Sequence, residues 1–351
     1  MMIDINEILN NACNTPGVSD VHITVGVPVM LRRHGELVPY NDIKLLPKDT
    51  AEIAKSLMSE IQFKEYEEKG ELDFSYSVPG SQRFRVNAYH QRNTCCVALR
   101  CISANVPPME SLGLPPIVGE LANKNSGLIL VTGPTGSGKS TTLASIVDKI
   151  NKTKTKHIIT LEDPIEYLFR HNKSIVNQRE IGSDTRSFTN ALRACLRQDP
   201  DVILVGEMRD FETIQIALTA AETGHLVLST LHTVGAASTI DRIIDIFPPS
   251  QQDQIKVQLA GTLQAVISQQ LLKRADKEGR VIATEVMIVN PAIRNMIREG
   301  KNHLINNSIK TGAMSGMMLM DDSLMKLYKM GQITQTQLME YCVDKSNIVL
   351  M

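Results

Sequence analysis

The spacing of apolar residues changes near residue 106 and divides the chain into two parts. In the first part, helices are predicted where apolar side chains recur every three or four residues, at 3–12 and 48–66. Strands are predicted for short runs rich in apolar and β-branched residues, at 21–25, 29–32, 72–76 and 83–89. Pro79 and Gly80 favour a turn that joins the last two strands into a hairpin. Residues 1–105 are therefore predicted to form a small α+β domain.

A different pattern follows residues 106–116, which contain four prolines and are predicted to be a linker. Beyond this segment, short runs of consecutive apolar residues are mostly separated by helix-like stretches. The runs lie at residues 128–132, 157–161, 202–205 and 226–229. Such runs are typical of strands buried on both faces, as in a parallel sheet covered by helices. Residues 117–351 are therefore predicted to form an α/β domain that ends in a helical region, residues 290–351.

A glycine-rich loop directly follows the first of these apolar runs and leads into a helix-like stretch. It consists of Gly133, Pro134, Thr135, Gly136, Ser137, Gly138, Lys139, Ser140 and Thr141. Glycines let successive backbone N–H groups curl around a phosphate chain, and the next helix adds its unpaired N-terminal N–H groups. Lys139 can reach the β- and γ-phosphates, and the Ser140 hydroxyl can bind Mg²⁺. This phosphate loop, residues 133–141, therefore predicts a site for a nucleotide and Mg²⁺.

Carboxylates follow two other predicted strands of the second domain. Glu207 comes after the run at 202–205, and Glu162 and Asp163 come after the run at 157–161. Ligands collect at the carboxyl ends of parallel strands, so these side chains are expected near the phosphate loop. Glu207 is a candidate Mg²⁺ ligand, partly through water, together with Ser140. One of these carboxylates is expected to be the general base that orients the attacking water.

A histidine and several arginines complete the set of candidate catalytic residues. His232 follows the run at 226–229 and is a candidate contact for the γ-phosphate, although a structural role is the common one for a single histidine. Residues 184–197 are predicted to be a helix with an arginine stripe, namely Arg186, Arg193 and Arg197. Such a stripe is commonly a solvent-exposed basic face. The alternative is that some of its guanidinium groups reach phosphates bound by an adjacent subunit.

The composition of the chain indicates the class of protein and its location in the cell. The chain has 351 residues with 37 basic and 38 acidic side chains, so its net charge of −1 supplies no general attraction for nucleic acid. Its six cysteines form no C-x-x-C pair, which favours reduced thiols. The N-terminus lacks the pattern of a signal peptide, and no apolar run reaches the roughly 20 residues of a membrane span. A cytoplasmic protein without a transmembrane segment is therefore expected.

One further helix is predicted near the C-terminus, in residues 290–300. Asn290 and Pro291 are typical of a helix start, and Gly300 is typical of a helix end. An apolar face is formed by Ile293, Met296 and Ile297, while Arg294 and Arg298 lie four residues apart on another face. Thr334 and Gln337 predict a capping box for a last helix.

Four motifs of the second domain together resemble the secretion ATPase superfamily, which drives type II and type IV secretion and type IV pili. They are the phosphate loop, the acidic box at 160–167, the run at 196–210 and the histidine box at 224–233. Residues 292–299, Ala-Ile-Arg-Asn-Met-Ile-Arg-Glu, are similar to a C-terminal motif of the branch that retracts type IV pili. The motif differs by Met296, where leucine is usual. The resemblance to this branch extends over nearly the whole chain.

The resemblance implies a PAS-like N-terminal domain, a RecA-like P-loop ATPase domain and a homohexameric ring that hydrolyses Mg²⁺-ATP between domains. It also implies a motor for pilus retraction and twitching motility. Such a motor docks on the inner-membrane platform protein of the pilus, at the inner face of the cytoplasmic membrane, and acts indirectly on pilin. By resemblance, Lys139 and Ser140 bind phosphate and Mg²⁺, and Glu207 is the Walker B carboxylate. The same resemblance makes Glu162 the acidic-box carboxylate and pairs His225 with His232.

Three alternatives remain beside the retraction motor. A RecA-like ATPase that translocates nucleic acid is disfavoured by the net charge of −1 and by the lack of an aromatic-basic stretch. An accessory retraction paralogue with little turnover would have a damaged acidic box, which is intact here. A pilus or secretion assembly ATPase of the same superfamily usually carries extra N-terminal domains and often a four-cysteine zinc module. Whether Glu162 or Glu207 is the general base stays open.

Overall fold

The computed structural model describes residues 4–78, 83–102 and 105–345, and the chain divides into two units. The first unit comprises Met1–Asn105 and Pro164–Leu168, and the second comprises Val106–Asp163 and Phe169–Met351. Some residues with predicted structure lie outside the described part, namely Ile3, Pro79, Gly80 and residues 346–351 of the predicted C-terminal helical region.

The described residues of the first unit form an antiparallel sheet and three helices. Its strands, in the spatial order β3-β2-β1-β6-β5-β4, are β1 Val18–Ile23, β2 Met30–Arg33, β3 Glu36–Pro39, β4 Glu71–Ser77, β5 Arg83–Gln91 and β6 Thr94–Ile102. Its helices are α1 Ile5–Asn14, α2 Pro47–Leu57 and α3 Glu60–Lys69. Leu9 of α1, Ile53 of α2 and Val21 of β1 lie in one buried core, because each element directs its apolar side chains inward. The predicted pairing of β4 with β5 is confirmed.

The single helix predicted at 48–66 is wrong, because two helices occupy this stretch. Helix α2 ends before Met58, and Ser59 begins α3 by accepting a hydrogen bond from the backbone N–H of Gln62. The Gln62 side chain in turn accepts from the backbone N–H of Ser59 at 3.0 Å. This capping box satisfies backbone donors that a continuous helix would have bonded internally. Ile61, in the first turn of α3, is 80% exposed and does not continue the apolar face of α2.

The second unit is built on a seven-stranded, mostly parallel sheet. Its strands, in the spatial order β13-β12-β7-β11-β10-β8-β9, are β7 Gly127–Thr132, β8 His157–Glu162, β9 Ile175–Glu180, β10 Val202–Val205, β11 Leu226–Leu231, β12 Leu263–Lys273 and β13 Arg280–Ile288. Only β13 runs antiparallel to its neighbour, β12, among the described strands of this sheet. The α/β prediction is therefore confirmed, and β9, β12 and β13 are strands that the apolar runs did not indicate.

Helices cover both faces of this sheet. They are α4 Pro116–Glu120, α5 Lys139–Thr153, α6 Phe188–Cys195, α7 Phe211–Glu222, α8 Ala236–Asp245, α9 Pro249–Thr262, α10 Pro291–Glu299, α11 Ile305–Thr311, α12 Met320–Lys329 and α13 Gln335–Tyr341. Ile129 and Val131 of β7 pack with α5, whereas Leu128 and Leu130 pack with α7, α8 and α9. All four side chains are fully buried, which stabilises the fold by about 1.5–3 kcal/mol each. Burial on both faces explains why the central strands are continuously apolar.

The proline-rich segment predicted as a linker packs within the second unit. The Ser145 hydroxyl of α5 donates a hydrogen bond to the Pro107 carbonyl at 2.9 Å. Met109 and Leu114 pack against the core that contains Leu143 and Val147. A short 3₁₀ helix, Met109–Leu112, lies in the middle of the segment.

The C-terminal helical prediction agrees with α10 in its detail. The Asn290 side chain accepts from the backbone N–H of Ile293 at 2.9 Å, Pro291 is the first helical residue, and Gly300 ends the helix with φ 69°. Ile297 is fully buried with Ile293, as the apolar face requires. In the described part of the chain, no helix has the length and apolar character needed to cross a membrane.

Candidate functional site

The phosphate loop lies at the carboxyl end of β7, an interior strand of the sheet. Gly133, Gly136 and Gly138 have φ values of 137°, 79° and 88°, a region that L side chains rarely adopt. Gly133 also lies against β12, because a Cβ atom there would be 2.2 Å from the carbonyl oxygen of Gln269. Glycine is therefore needed at position 133 for both backbone conformation and space, and at 136 and 138 for conformation.

Lys139 and Ser137 give the loop its chemical character. The Lys139 ammonium is buried and donates to the carbonyl oxygens of Gly133 and Pro134, both at 2.9 Å. The Ser137 hydroxyl is also buried, and it has no hydrogen-bond partner among the described residues. A buried cation, an unsatisfied hydroxyl and the N-terminal N–H groups of α5 meet in one loop, which fits a phosphate group.

Few side chains of the candidate site could bind a metal ion. Ser140 lies in the first turn of α5 and is partly exposed, and the Glu207 side chain is 17% exposed. The described residues contain no group of three or more His, Cys, Asp or Glu side chains that could hold a metal. Mg²⁺ commonly takes one or two protein ligands and completes its shell with phosphate oxygens and water. The residues present therefore fit Mg²⁺ bound together with a nucleotide, rather than a metal site made by protein alone.

Glu207 and His232 lie together at the same edge of the sheet. They follow the neighbouring parallel strands β10 and β11, which are paired from Val202–Leu226 to Val205–Ser229. His232 Nε2 lies 3.5 Å from Glu207 Oε2. The ends of the strands are further joined because the Thr230 hydroxyl donates to the Gly206 carbonyl at 2.6 Å.

Arg209 is a member of this cluster that the sequence reasoning missed. Its Nε lies 2.8 Å from Glu207 Oε1, so the carboxylate is held between a guanidinium and an imidazole. The sequence contains one indication of this contact, because Arg209 lies two residues after Glu207, in the same short segment that follows β10. This run alone did not distinguish Arg209 from any other exposed arginine.

Glu162 reaches the same edge of the sheet, but its carboxylate is already bonded. Glu162 Oε1 accepts from the Thr160 hydroxyl at 2.6 Å and from Gln178 Nε2 at 3.1 Å. Because Thr160 lies on β8 and Gln178 on β9, the carboxylate joins these two strands. The Glu162 Cα atom is 3.5 Å from the position of a Cβ on Gly206, which places it beside the start of the Glu207 run. Residues Pro164–Leu168, which include the rest of the acidic box, group with the first unit.

The arginine stripe does not lie along one helix, which corrects the helix predicted at 184–197. Helix α6 begins at Phe188, where the Ser187 side chain accepts from the backbone N–H of Asn190, and it ends at Cys195. A tight turn precedes it, in which the Gly182 N–H donates to the Thr185 carbonyl at 2.7 Å. Arg186 therefore precedes the helix and Arg197 follows it.

The two candidate catalytic arginines differ in their partners. Arg193 forms an ion pair with Glu212 in the first turn of α7. Arg197 is exposed and makes no ion pair with any described residue. Among the described residues, no hydrogen bond or ion pair joins either arginine to Glu207 or to the phosphate loop. Their predicted role across a subunit interface stays a prediction.

His225 is remote from His232 in this chain. It lies just before β11, whereas His232 follows the strand, so about seven extended residues, roughly 20 Å, separate them. His225 Nδ1 is 2.9 Å from the Ala220 carbonyl oxygen and 3.2 Å from the Thr223 hydroxyl. The two histidines therefore do not form a contacting pair within one subunit, and His225 joins α7 to β11.

Comparison with known proteins finds relatives over nearly the whole chain. The family model described as type II/IV secretion system protein matches residues 2–341. The type IV pilus retraction ATPase PilT of Pseudomonas aeruginosa is 47% identical over 333 residues, which cover 95% of this chain and 96% of the relative. A twitching motility protein of Neisseria gonorrhoeae is 49% identical over 304 residues, 87% of this chain and 81% of the relative. The crystal structure of the pilus retraction motor PilT with bound ADP has a TM-score of 0.91 and 51% identity, over 99% of both chains.

Proposed function

Because the chain belongs to the type II/IV secretion system protein family, we propose that it is an ATPase that powers retraction of type IV pili. The observation that carries this proposal is the arrangement of the phosphate loop, Glu207 and His232 at one edge of a parallel sheet. A phosphate loop alone binds nucleotide, whereas hydrolysis also needs an oriented water and stabilised charge. Glu207 and His232 supply groups for both tasks.

In the proposed mechanism, the loop N–H groups and Lys139 hold the β- and γ-phosphates of ATP. Mg²⁺, bound through Ser140 and partly through water by Glu207, would neutralise charge on the phosphate oxygens. His232 keeps its imidazole next to Glu207 and reports the presence of the γ-phosphate. Arg193 and Arg197 of one subunit stabilise the transition state in the site of a neighbour.

The general base is assigned to a carboxylate at this edge, either Glu162 or Glu207. A base needs an oxygen that is free to accept a proton from water. Glu162 Oε1 already accepts from Thr160 and Gln178, while both Glu207 oxygens face cationic or titratable groups. Comparing Glu162→Gln with Glu207→Gln in single-turnover experiments separates the two roles, because loss of the base slows the chemical step without weakening ATP binding.

For the assembly, we propose a homohexamer in which residues 1–105 form a PAS-like domain, 106–116 a linker and 117–351 a RecA-like ATPase domain. The ring docks on the platform protein of the pilus at the inner face of the cytoplasmic membrane. Pilin is then the indirect load of the motor. The similarity to PilT over 96% of that protein's length supports this assignment.

The decisive test in solution is the Glu207→Gln variant. Turnover of ATP is expected to fall by about 10²–10³-fold, because an amide cannot supply the negative charge that positions Mg²⁺ and water. Binding of ADP should stay within a fewfold of wild type, since the phosphate loop is unchanged. Glu340→Gln on the exposed end of α13 is the matched control and should behave as wild type. Near-normal turnover in Glu207→Gln would remove this residue from the mechanism.

The direction of the motor is tested in cells. Deleting the gene should increase the number of surface pili and abolish twitching, because pili would assemble without being withdrawn. Expression of the wild-type chain, but not of Glu207→Gln, should restore movement. Cells without pili would instead identify the chain as an assembly ATPase.

A further inference from the structure

A buried carboxylate on β13 binds the first residue of two different helices. Glu285 is only 5% exposed, and its Oε1 accepts from the backbone N–H of Ala236, the first residue of α8, at 2.6 Å. Its Oε2 accepts from the backbone N–H of Met320, the first residue of α12, at 3.4 Å. Helix N-termini attract negative charge, so this one side chain caps both helices.

The α8 contact fixes the segment that leaves the candidate site. Only Thr233, Val234 and Gly235 separate His232 from α8. The Gly235 N–H donates to the Ser268 hydroxyl on β12 at 2.9 Å, and the next N–H along the chain is the one held by Glu285. Two consecutive backbone N–H groups, three and four residues after the histidine beside Glu207, are therefore bonded to the adjacent strands β12 and β13.

The α12 contact belongs to a separate set of bonds. Met318 pairs with Val286 of β13 through two backbone hydrogen bonds of 2.8 and 3.0 Å. The Ser323 hydroxyl of α12 accepts from the backbone N–H of Thr284 at 3.0 Å. Residues 318–323, which include the start of α12, therefore keep three hydrogen bonds to β13 without Glu285. The start of α8 has Glu285 and Ser268 as its side-chain partners on the sheet.

We propose that Glu285 is a positioning residue, which holds His232 beside Glu207 by fixing the start of α8 and joins this segment to the first turn of α12. It touches neither nucleotide nor reacting atoms. Its effect on hydrolysis passes through His232 and rests on the proposed ATPase function.

The test begins with Glu285→Gln. The amide keeps one acceptor oxygen but turns a donor toward the second helix, so one cap and the negative charge are lost. We expect kcat to fall about tenfold and the KM for ATP to stay within about twofold, because the phosphate loop is not touched. In a double-mutant cycle with His232→Ala, the two effects on kcat should be strongly non-additive. Additive effects would show that Glu285 does not act through His232.

Two serine variants separate positioning from stability. Ser268→Ala removes the bond to the Gly235 N–H without changing α12, and it should lower kcat by roughly threefold and be non-additive with His232→Ala. Ser323→Ala loosens α12 from β13 and should lower the unfolding temperature while leaving kcat unchanged. If Ser323→Ala lowers kcat as Ser268→Ala does, the effect is one of general stability and the proposal is wrong. Ser268→Ala also keeps the test available if Glu285→Gln fails to fold.

A readout independent of hydrolysis distinguishes this proposal from the proposed function. Carbethoxylation of His232, followed by mass spectrometry, should be about threefold faster in Ser268→Ala and Glu285→Gln than in wild type. His225 serves as the internal reference, because its contacts with Ala220 and Thr223 do not involve Glu285. An unchanged rate at His232 would overturn the positioning role, whatever the ATPase activity of wild type. Absence of wild-type turnover with a changed rate would instead contradict only the proposed ATPase.

Discussion

Substitution of Gly133 by alanine tests how closely the phosphate loop approaches β12. The new Cβ would lie 2.2 Å from the Gln269 carbonyl oxygen and 2.8 Å from the Ser137 hydroxyl. The carbonyl belongs to the backbone of a central strand, so the loop itself has to move by about 1 Å to restore an ordinary contact of 3.4 Å. The φ of 137° adds backbone strain for any residue with a Cβ.

The expected magnitude follows from these two contributions. Overpacking of this kind costs about 1–3 kcal/mol, and the strained backbone adds about 1–3 kcal/mol. If the loop escapes this strain by moving, its N–H groups leave the phosphate positions. ADP binding should then weaken by about a hundredfold or more, since each 1.4 kcal/mol is a factor of about ten.

Gly136→Ala is the matched control for this prediction. Its φ is 79°, yet no atom lies within 4 Å of the added Cβ, so only the left-handed conformation is penalised. That penalty is about 1–2 kcal/mol, and ADP binding should weaken by about tenfold. Isothermal titration calorimetry with ADP and thermal unfolding of both variants provide the measurements. Equal losses in the two variants would refute the close approach of Gly133 to Gln269 as the reason for glycine.

Four further predictions concern other parts of the second unit. His232→Ala should lower kcat for ATP at least about tenfold, while His225→Ala should mainly lower the unfolding temperature; equal effects on kcat would contradict their separation by β11. Arg294 Nη1 donates to the Ala260 and Gly261 carbonyl oxygens at 2.6 and 2.7 Å, so Arg294→Ala should destabilise the end of α9 by about 1–2 kcal/mol. Arg298 is exposed, and its side chain donates a hydrogen bond to the Asn295 side chain at 3.1 Å. Arg298→Ala should stop twitching with unchanged basal ATPase and thermal unfolding. Although desolvation opposes it, hydrogen bonds from Lys156 and from the His157 N–H lower the pKa of Asp201. This stabilisation is present above the unfolded pKa, about 3.9, and is lost as pH falls through the lower folded pKa. The unfolding temperatures of wild type and Asp201→Asn should therefore differ at pH 7 and converge toward pH 3, and a constant difference would exclude this linkage.

Prediction of the fold succeeded where the pattern is local and strong. The four apolar runs of the second unit are β7, β8, β10 and β11, because strands buried on both faces contain few polar residues. It failed at Ser59, where a single capping residue divides a continuous apolar pattern into two helices. It also missed β9, because this edge strand is mostly polar and its Ile175 is exposed, so the segment contains no apolar run.

The sequence placed some of the candidate site residues where the structure has them, and the roles of these residues stay predictions. Glu207 and His232 were both expected at the carboxyl edge of the sheet, and the adjacent strands β10 and β11 bring them within 3.5 Å. Arg209 was not anticipated, because its contact depends on the direction taken by the chain after β10. Glu162 was expected at this edge as a candidate base, but its bond to Gln178 was not anticipated, because it depends on the unpredicted strand β9.

The sequence alone predicts β7, the phosphate loop and α5, because these three elements are contiguous in the chain. Their backbone conformations are set by neighbouring residues, and glycine at 133, 136 and 138 is a local requirement. The family membership is likewise carried by the linear order of such motifs.

Only the tertiary structure decided which distant groups meet. His225 and His232 belong to one motif in the chain, yet β11 holds them at opposite ends. Glu285, 53 positions beyond His232, fixes the helix that follows it. Strand order and register determine these contacts, and both arise from packing between distant segments. The residues of one segment do not indicate which other segment it packs against.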